Sequence, residues 1–142
     1  VGQWEVLDAV ALADCALEIR GADLDDLFAT AARALAELMV DPATLEIRNE
    51  RPLELAAPAL DLLLYDWLSE LIYLKDLEQV VFPRAEVHVE PGAPSRLRAR
   101  LAGGRIVRGR TALRADLKAV TFHQFGLEHD AAGWRARVVI DL

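Results

Sequence analysis

The final stretch of the chain, Trp134-Arg135-Ala136-Arg137-Val138-Val139-Ile140-Asp141-Leu142, constrains the fold more than any other. Trp134, Ala136, Val138 and Ile140 alternate with Arg135, Arg137, Val139 and Asp141, the period of a strand. Chain ends fray unless something ties them down. A strand pattern that persists to the last residue therefore predicts a tail paired into a sheet. The same stretch puts a side-chain carboxylate and the last carbonyl oxygens at one place, and hard cations use that chemistry.

With 142 residues, the chain is long enough for one domain, 1–142, with a sizeable core. Hydrophobic residues make up 54% and no low-complexity run interrupts them, which argues against disorder. The net charge of −7, with no basic cluster beyond the Arg-rich stretch from Arg96 to Arg114, disfavours nucleic-acid binding through bulk electrostatics. It suits a metal site or a basic protein partner better. Cys15 is the only cysteine, so no disulfide forms within the chain, and its apolar setting reads as core. No signal peptide is visible and no uncharged run reaches membrane-span length. The expected location is cytoplasmic. The sequence opens at Val1 rather than Met.

The order of elements is strands, helix, strands, helix, then a run of strands. Trp4 to Leu7 reads as a short strand. Cys15, Leu17 and Ile19 alternate with polar or small residues up to Gly21. Asp23 is the predicted N-cap of a helix whose apolar residues run from Leu24 to Met39, stopped by Asp41-Pro42. Leu45 and Ile47, then Leu53 and Leu55, read as short strands. Pro58 opens a second helix, buried on most sides, that fades near Asp76. Strands follow over Val80–Glu90, Ser95–Leu101, Leu117–Glu128 and Gly133–Asp141, with turn signals at Pro91-Gly92, Gly103-Gly104 and Gly133. The class is α+β: two helices packed on a mostly antiparallel β-sheet, with the C-terminal strand running to the last residue.

No glycine-rich phosphate loop, CxxC or HExxH occurs. His88, His123 and His129 lack partners at ligand spacing and read as strand or surface histidines. Ser69 and Ser95 lack a nucleophile's setting. The carboxylates are more informative. Asp14 starts an otherwise apolar strand and is explained equally by a turn or strand edge. Asp26 lies in a first helical turn, where the macrodipole favours a negative charge without any function. Lys118 reads by default as a solvent-facing strand lysine. Asp141, following Val138-Val139-Ile140, is harder to explain as surface.

Taken together these residues resemble the archease family. Ala13-Asp14-Cys15-Ala16-Leu17 through Gly21, then Asp23-Leu24-Asp25-Asp26-Leu27-Phe28, is similar to the family's His-Thr-Ala-Asp motif, strand, glycine and acidic helix start. Leu62 to Tyr73 is similar to its Leu-Leu-x-Trp-Leu-x-x-Leu-Leu-Tyr helix. Leu117-Lys118-Ala119-Val120-Thr121-Phe122-His123 resembles its Val-Lys-Ala-Val-Thr-Tyr-His segment, and Gly133-Trp134 through Asp141-Leu142 its closing strand.

The resemblance implies an accessory factor rather than an enzyme. Such a factor assists the tRNA-splicing RNA ligase, promoting its guanylylation and multiple turnover. It also implies a divalent-cation site, for Ca²⁺ or Mg²⁺, built from Asp14, Asp141 and the backbone oxygen of Leu142. Ligase-activation positions fall on Asp26 and Lys118. Two carboxylates and a carbonyl are suitable hard donors. Asp26 beside them would add negative charge and Lys118 would partly balance it. One departure stands out: the family's histidine falls on Ala11, which neither ligates nor orients a carboxylate, and its threonine on Leu12. That substitution favours an alternative, a divergent chaperone-like interaction module without a functional metal site. A hydrolase using Asp14 and Asp141 as an acid–base pair is a third reading, with no nucleophile or substrate anchor to accompany it.

Overall fold

The computed structural model describes residues 1–7 and 14–142. Val10, Ala11, Leu12 and Ala13, which carry the start of the His-Thr-Ala-Asp resemblance, lie outside the described residues. In chain order the elements are β1 (Gln3–Val6), β2 (Asp14–Gly21), α1 (Leu24–Met39), β3 (Asn49–Ala57), α2 (Leu60–Glu78), β4 (Val80–Glu90), β5 (Ser95–Arg105), β6 (Ala119–Asp130) and β7 (Gly133–Asp141).

Helix α1 begins where its cap predicts. Asp23 is extended and its side chain accepts a hydrogen bond from the Asp26 amide at 2.8 Å, satisfying a backbone donor that the first helical turn leaves without a partner. Leu24, Leu27, Phe28, Ala31, Leu35 and Met39 form its buried stripe. Helix α2 starts at Leu60, two residues after Pro58, and continues past Asp76 to Glu78. Gln79 closes it in a left-handed conformation, φ 56°, with its amide donating to the Lys75 carbonyl. The Trp67 indole, fully buried, donates to the Phe28 carbonyl at 2.9 Å and ties the two helices together. No helix among the described residues is long and apolar enough to cross a membrane.

The strands pair antiparallel throughout, as the α+β expectation requires, but divide between two sheets. One has the order β1-β2-β7-β6, the other β3-β5-β4. Helix α1 lies against β2 of the first and β4 of the second, and α2 against strands of both. The final strand is interior: β7 pairs with β2 on one side and β6 on the other. Val138, Val139 and Ile140 are buried, and Leu142 packs partly against the core. The tail is therefore held by two ladders and by apolar burial.

Two expectations change. Leu45 to Ile47 is not a strand. Pro42–Thr44 form a 3-10 turn in which the Asp41 and Pro42 carbonyls accept from the Thr44 and Leu45 amides, and the chain then runs irregularly to Arg48. Gly103-Gly104 is not a turn but part of β5. A Cβ on Gly103 would lie 2.0 Å from the Val81 carbonyl oxygen, and one on Gly104 2.3 Å from that of Glu46. These glycines permit close backbone approach rather than reversal.

Candidate functional site: a cross-strand carboxylate pair

Asp14 is the first residue of β2 and Asp141 the last of β7, and the register sets them directly opposite each other. Residues so paired point to the same face, with Cβ atoms about 4.5–5.5 Å apart. Ala119, the first residue of β6, extends the row on the other side of Asp141. The next row along, Cys15, Ile140 and Val120, is buried, so the acidic row sits where the core gives out. Asp14, Asp141 and Leu142 are each half-buried. Among the described residues neither carboxylate has an ion pair or side-chain hydrogen bond. No group of three His, Cys, Asp or Glu positioned for a metal occurs among the described residues. A cation here would draw on the two carboxylates and, as the family resemblance implies, the backbone oxygen of Leu142. That all-oxygen set fits Ca²⁺ or Mg²⁺ by chemistry and does not fit a softer metal.

Lys118 is delivered to this pair by a fastened linker. After β5, the Arg114 and Ala115 amides donate to the carbonyls of Met39 and Leu38, the end of α1. Lys75 of α2 then donates to Asp116 Oδ1 at 2.7 Å and to the Leu117 carbonyl at 2.9 Å. Finally the Lys118 amide donates to the Asp141 carbonyl at 2.8 Å. Lys118 is exposed, and its side chain lines a cavity with Tyr65, Tyr73 and Asp76 of α2 rather than sharing the row of the two carboxylates.

Lys75 is the residue that sequence reasoning missed. Burial by itself lowers its ammonium's proton affinity, but hydrogen bonds to Asp116 and Asp76 more than offset this and hold it above its ordinary value. Asp116 is held below the usual carboxylate range, chiefly by its hydrogen bond to Lys75, with Lys118 adding to the effect. The signal was present: Lys75 falls on the same helical stripe as Leu64, Leu68 and Leu71, where a lysine is out of pattern.

Asp26 does not stand beside the pair. Its carboxylate accepts from the Gly2 amide and the Ala22 amide, both at 2.9 Å. Those contacts lie past the Gly21 end of β2, and Asp14 lies at the other end, about 23 Å away at the rise of an extended strand. Its role in the fold is to fix the N-terminal segment and the start of α1. The Arg33 guanidinium, donating to the Gly2 carbonyl at 2.7 Å, acts with it.

The other candidates fall outside the site. Cys15 is buried, which pushes its thiol up and leaves it inert. His129 stacks on Trp134, and His88 lies between Asp25 and Glu90 at 3.6 and 3.5 Å. The Arg-rich stretch forms the outward face of β5, where Arg96, Arg98 and Arg100 alternate with buried residues. Glu90, Glu54 and Glu86 stand directly opposite them on the neighbouring strands, so this face is mixed in charge.

A family model described as the Archease protein family (MTH1598/TM1083) matches residues 4–142. The chain is similar to the protein archease of Archaeoglobus fulgidus, 35% identical over 130 residues, covering 92% of this chain and 93% of the relative. It is similar to that of Methanothermobacter thermautotrophicus, 32% identical over 139 residues and covering 98% of each. Its fold matches the solution structure of Methanobacterium thermoautotrophicum protein 1598, with a TM-score of 0.79 at 32% identity and 98% coverage of both chains. The crystal structure of a Thermotoga maritima archease, described as a possible chaperone, shares the fold with a TM-score of 0.63 at 20% identity and 93% coverage of both. With a family model and relatives spanning nearly its whole length, the chain belongs to the archease family.

Proposed function

We propose that this protein is a cytoplasmic accessory factor that activates the tRNA-splicing RNA ligase, promoting its guanylylation and multiple turnover through a divalent-cation site. The observation that carries the reading is the Asp14–Asp141 cross-strand pair, with the Lys118 amide bonded to the Asp141 carbonyl. Asp14, Asp141 and the backbone oxygen of Leu142 would hold the cation, which would supply positive charge and further positions for oxygen ligands at the sheet's end. Ca²⁺ takes about six to eight oxygens, more than these residues provide, so the remainder come from water or from the partner. Lys118, exposed and tied by its backbone amide to the Asp141 carbonyl, is suited to meeting an anionic group of that partner. Asp26 contributes from a distance, by fixing Gly2 and the start of α1.

A chaperone-like interaction module without a working metal site is the second reading. The replacement of the family's histidine by Ala11 favours it, as does the description of the Thermotoga maritima relative as a possible chaperone. Guanylylation and turnover of the purified cognate ligase, with and without this protein, test the first reading. Acceleration of turnover beyond a single round is the expected result. A ligase indifferent to the protein would leave only the second.

A further inference from the structure

Three of the seven large hydrophobic side chains exposed among the described residues, Tyr73, Leu77 and Phe122, belong to one surface. On α2, Leu62, Tyr65, Ser69, Tyr73 and Leu77 recur at spacings of three or four residues, so they form a single stripe, and each is at least partly exposed. Strand β6 adds two rings to it. Its pairing with β7 is interrupted between Thr121 and Gly126, and Gln124 takes a left-handed conformation, φ 54°, which a side chain disfavours. Arg137 donates to the Gln124 side-chain oxygen at 2.9 Å and holds the irregularity in place.

The irregularity has a geometric result. Phe122 and Phe125 are an odd number of positions apart, and a regular strand would send them to opposite faces. Here both meet Tyr65. Phe122 stacks on it with centroids 4.1 Å apart and planes 11° from parallel, and Phe125 meets it edge-on at 6.0 Å. Bulges of this kind re-aim side chains at functional places. Phe122 remains 56% exposed after stacking, so the strained backbone presents a ring to solvent instead of burying it.

The border of the surface identifies its occupant. Asp61 and Asp66 are exposed along the stripe, and Asp76, also exposed, is paired with Lys75, the only basic residue of α2, which reaches inward to Asp116 as well. A cavity of about 220 Å³ lined by Tyr65, Ser69, Tyr73, Asp76 and Lys118 runs from the stripe to Ala119 and Val120 at the start of β6. Apolar positions edged by carboxylates fit an apolar-faced segment carrying Lys and Arg. An enzyme that handles RNA carries basic surface for its polyanionic substrate. We propose that the α2–β6 surface, centred on Tyr65, Tyr73, Leu77 and Phe122, is the docking face for a basic, apolar-faced segment of the RNA ligase. This rests on the ligase reading above.

The test is the affinity of the purified cognate ligase for wild type, Tyr73→Arg, Phe122→Ala and the double variant Asp61→Asn/Asp66→Asn. Each is measured at rising salt, with melting temperature and sedimentation of every variant alone. Tyr73→Arg and Phe122→Ala should each weaken binding by about tenfold or more while melting close to wild type. The Asp double variant should weaken it less and flatten its salt dependence. Ligase bound equally by wild type and both aromatic variants overturns the docking face but leaves the activator reading intact. Wild type that binds no ligase overturns both. Loss of binding with no response to salt or to the Asp double variant contradicts a basic occupant. A wild-type dimer dissociated by Phe122→Ala would assign the surface to a second copy of this chain instead.

Discussion

Asp14 and Asp141 face each other across the β2–β7 ladder, one opening its strand and the other closing its own. Like charges directly opposite in a sheet destabilise it. In the absence of divalent cations, Asp14→Asn should leave stability unchanged or raise it by up to about 1 kcal/mol, visible as a melting temperature higher by on the order of 3 °C. A drop of several degrees in chelator would mean that Asp14 is held by stabilising contacts rather than repelled by its neighbour.

Asp26 supports the N-terminal segment through two backbone amides, and its charge is spent there. Asp26→Ala should lower stability by about 1–2 kcal/mol. The loss should be the same with and without Ca²⁺ or Mg²⁺, because the residue lies at the far end of β2. Calorimetry of this variant across a cation titration checks the point, and a cation-dependent loss would place Asp26 back at the acidic pair.

The Lys75–Asp116 link gives stability an acid and an alkaline limb. Asp116 is held low in the fold, so its contribution is present above about pH 4 and disappears as pH falls through its lowered folded value. Lys75 is held high, so its contribution is complete below its ordinary value, about 10.4, and is lost as pH rises through the raised one. Lys75→Met should flatten both limbs and cost about 1–3 kcal/mol near neutrality, mainly by leaving the buried Leu117 carbonyl without its donor. Asp116 is largely exposed, so Asp116→Asn should reshape the acid limb with little neutral cost. Urea midpoints from pH 3 to pH 11, as rough limits of the titration ranges, measure all of this.

Deleting Val138 to Leu142 removes the end of an interior strand. Three buried side chains, at about 1.5–3 kcal/mol each, are lost, and the facing residues of β2 and β6 lose ladder partners. The expected cost is on the order of the whole domain's stability. The gentler Ile140→Ala should cost about 2–5 kcal/mol. A truncated chain that melts with the full-length one would contradict a central β7.

What the sequence made legible follows from local signals. Asp23 as a cap, the stripes of α1 and α2, and the alternation ending at Ile140 are each readable within a few residues. The misreadings come from partners far away in the chain. Gly103-Gly104 carries the same local signal as a turn, and only the carbonyls of Val81 and Glu46 make it a close approach. Lys75 stands out of pattern on its stripe, but its partners Asp116 and Leu117 lie far along the chain and only the fold places them over it. Asp26 and Asp14 share a motif-like neighbourhood in sequence, yet the strand between them separates the two ends by its full length. Asp14 and Asp141 are far apart in sequence; the tail's strand pattern singled out Asp141, and only the resemblance to the archease family joined Asp14 to it.

Ligase turnover against cation concentration tests the central claim most directly. Wild type, Asp14→Asn and Lys118→Ala would each be added to the cognate ligase at several Ca²⁺ or Mg²⁺ concentrations, with melting temperature followed in parallel. The site is expected to raise wild-type stability with cation, by about 2.7 kcal/mol at a hundredfold excess over Kd. Asp14→Asn should lose both that response and the activation, and Lys118→Ala should lose activation while keeping the cation-dependent melting. A wild type whose melting ignores both cations, with all three proteins activating the ligase equally, would contradict the account and remove the Asp14–Asp141 pair from this protein's function.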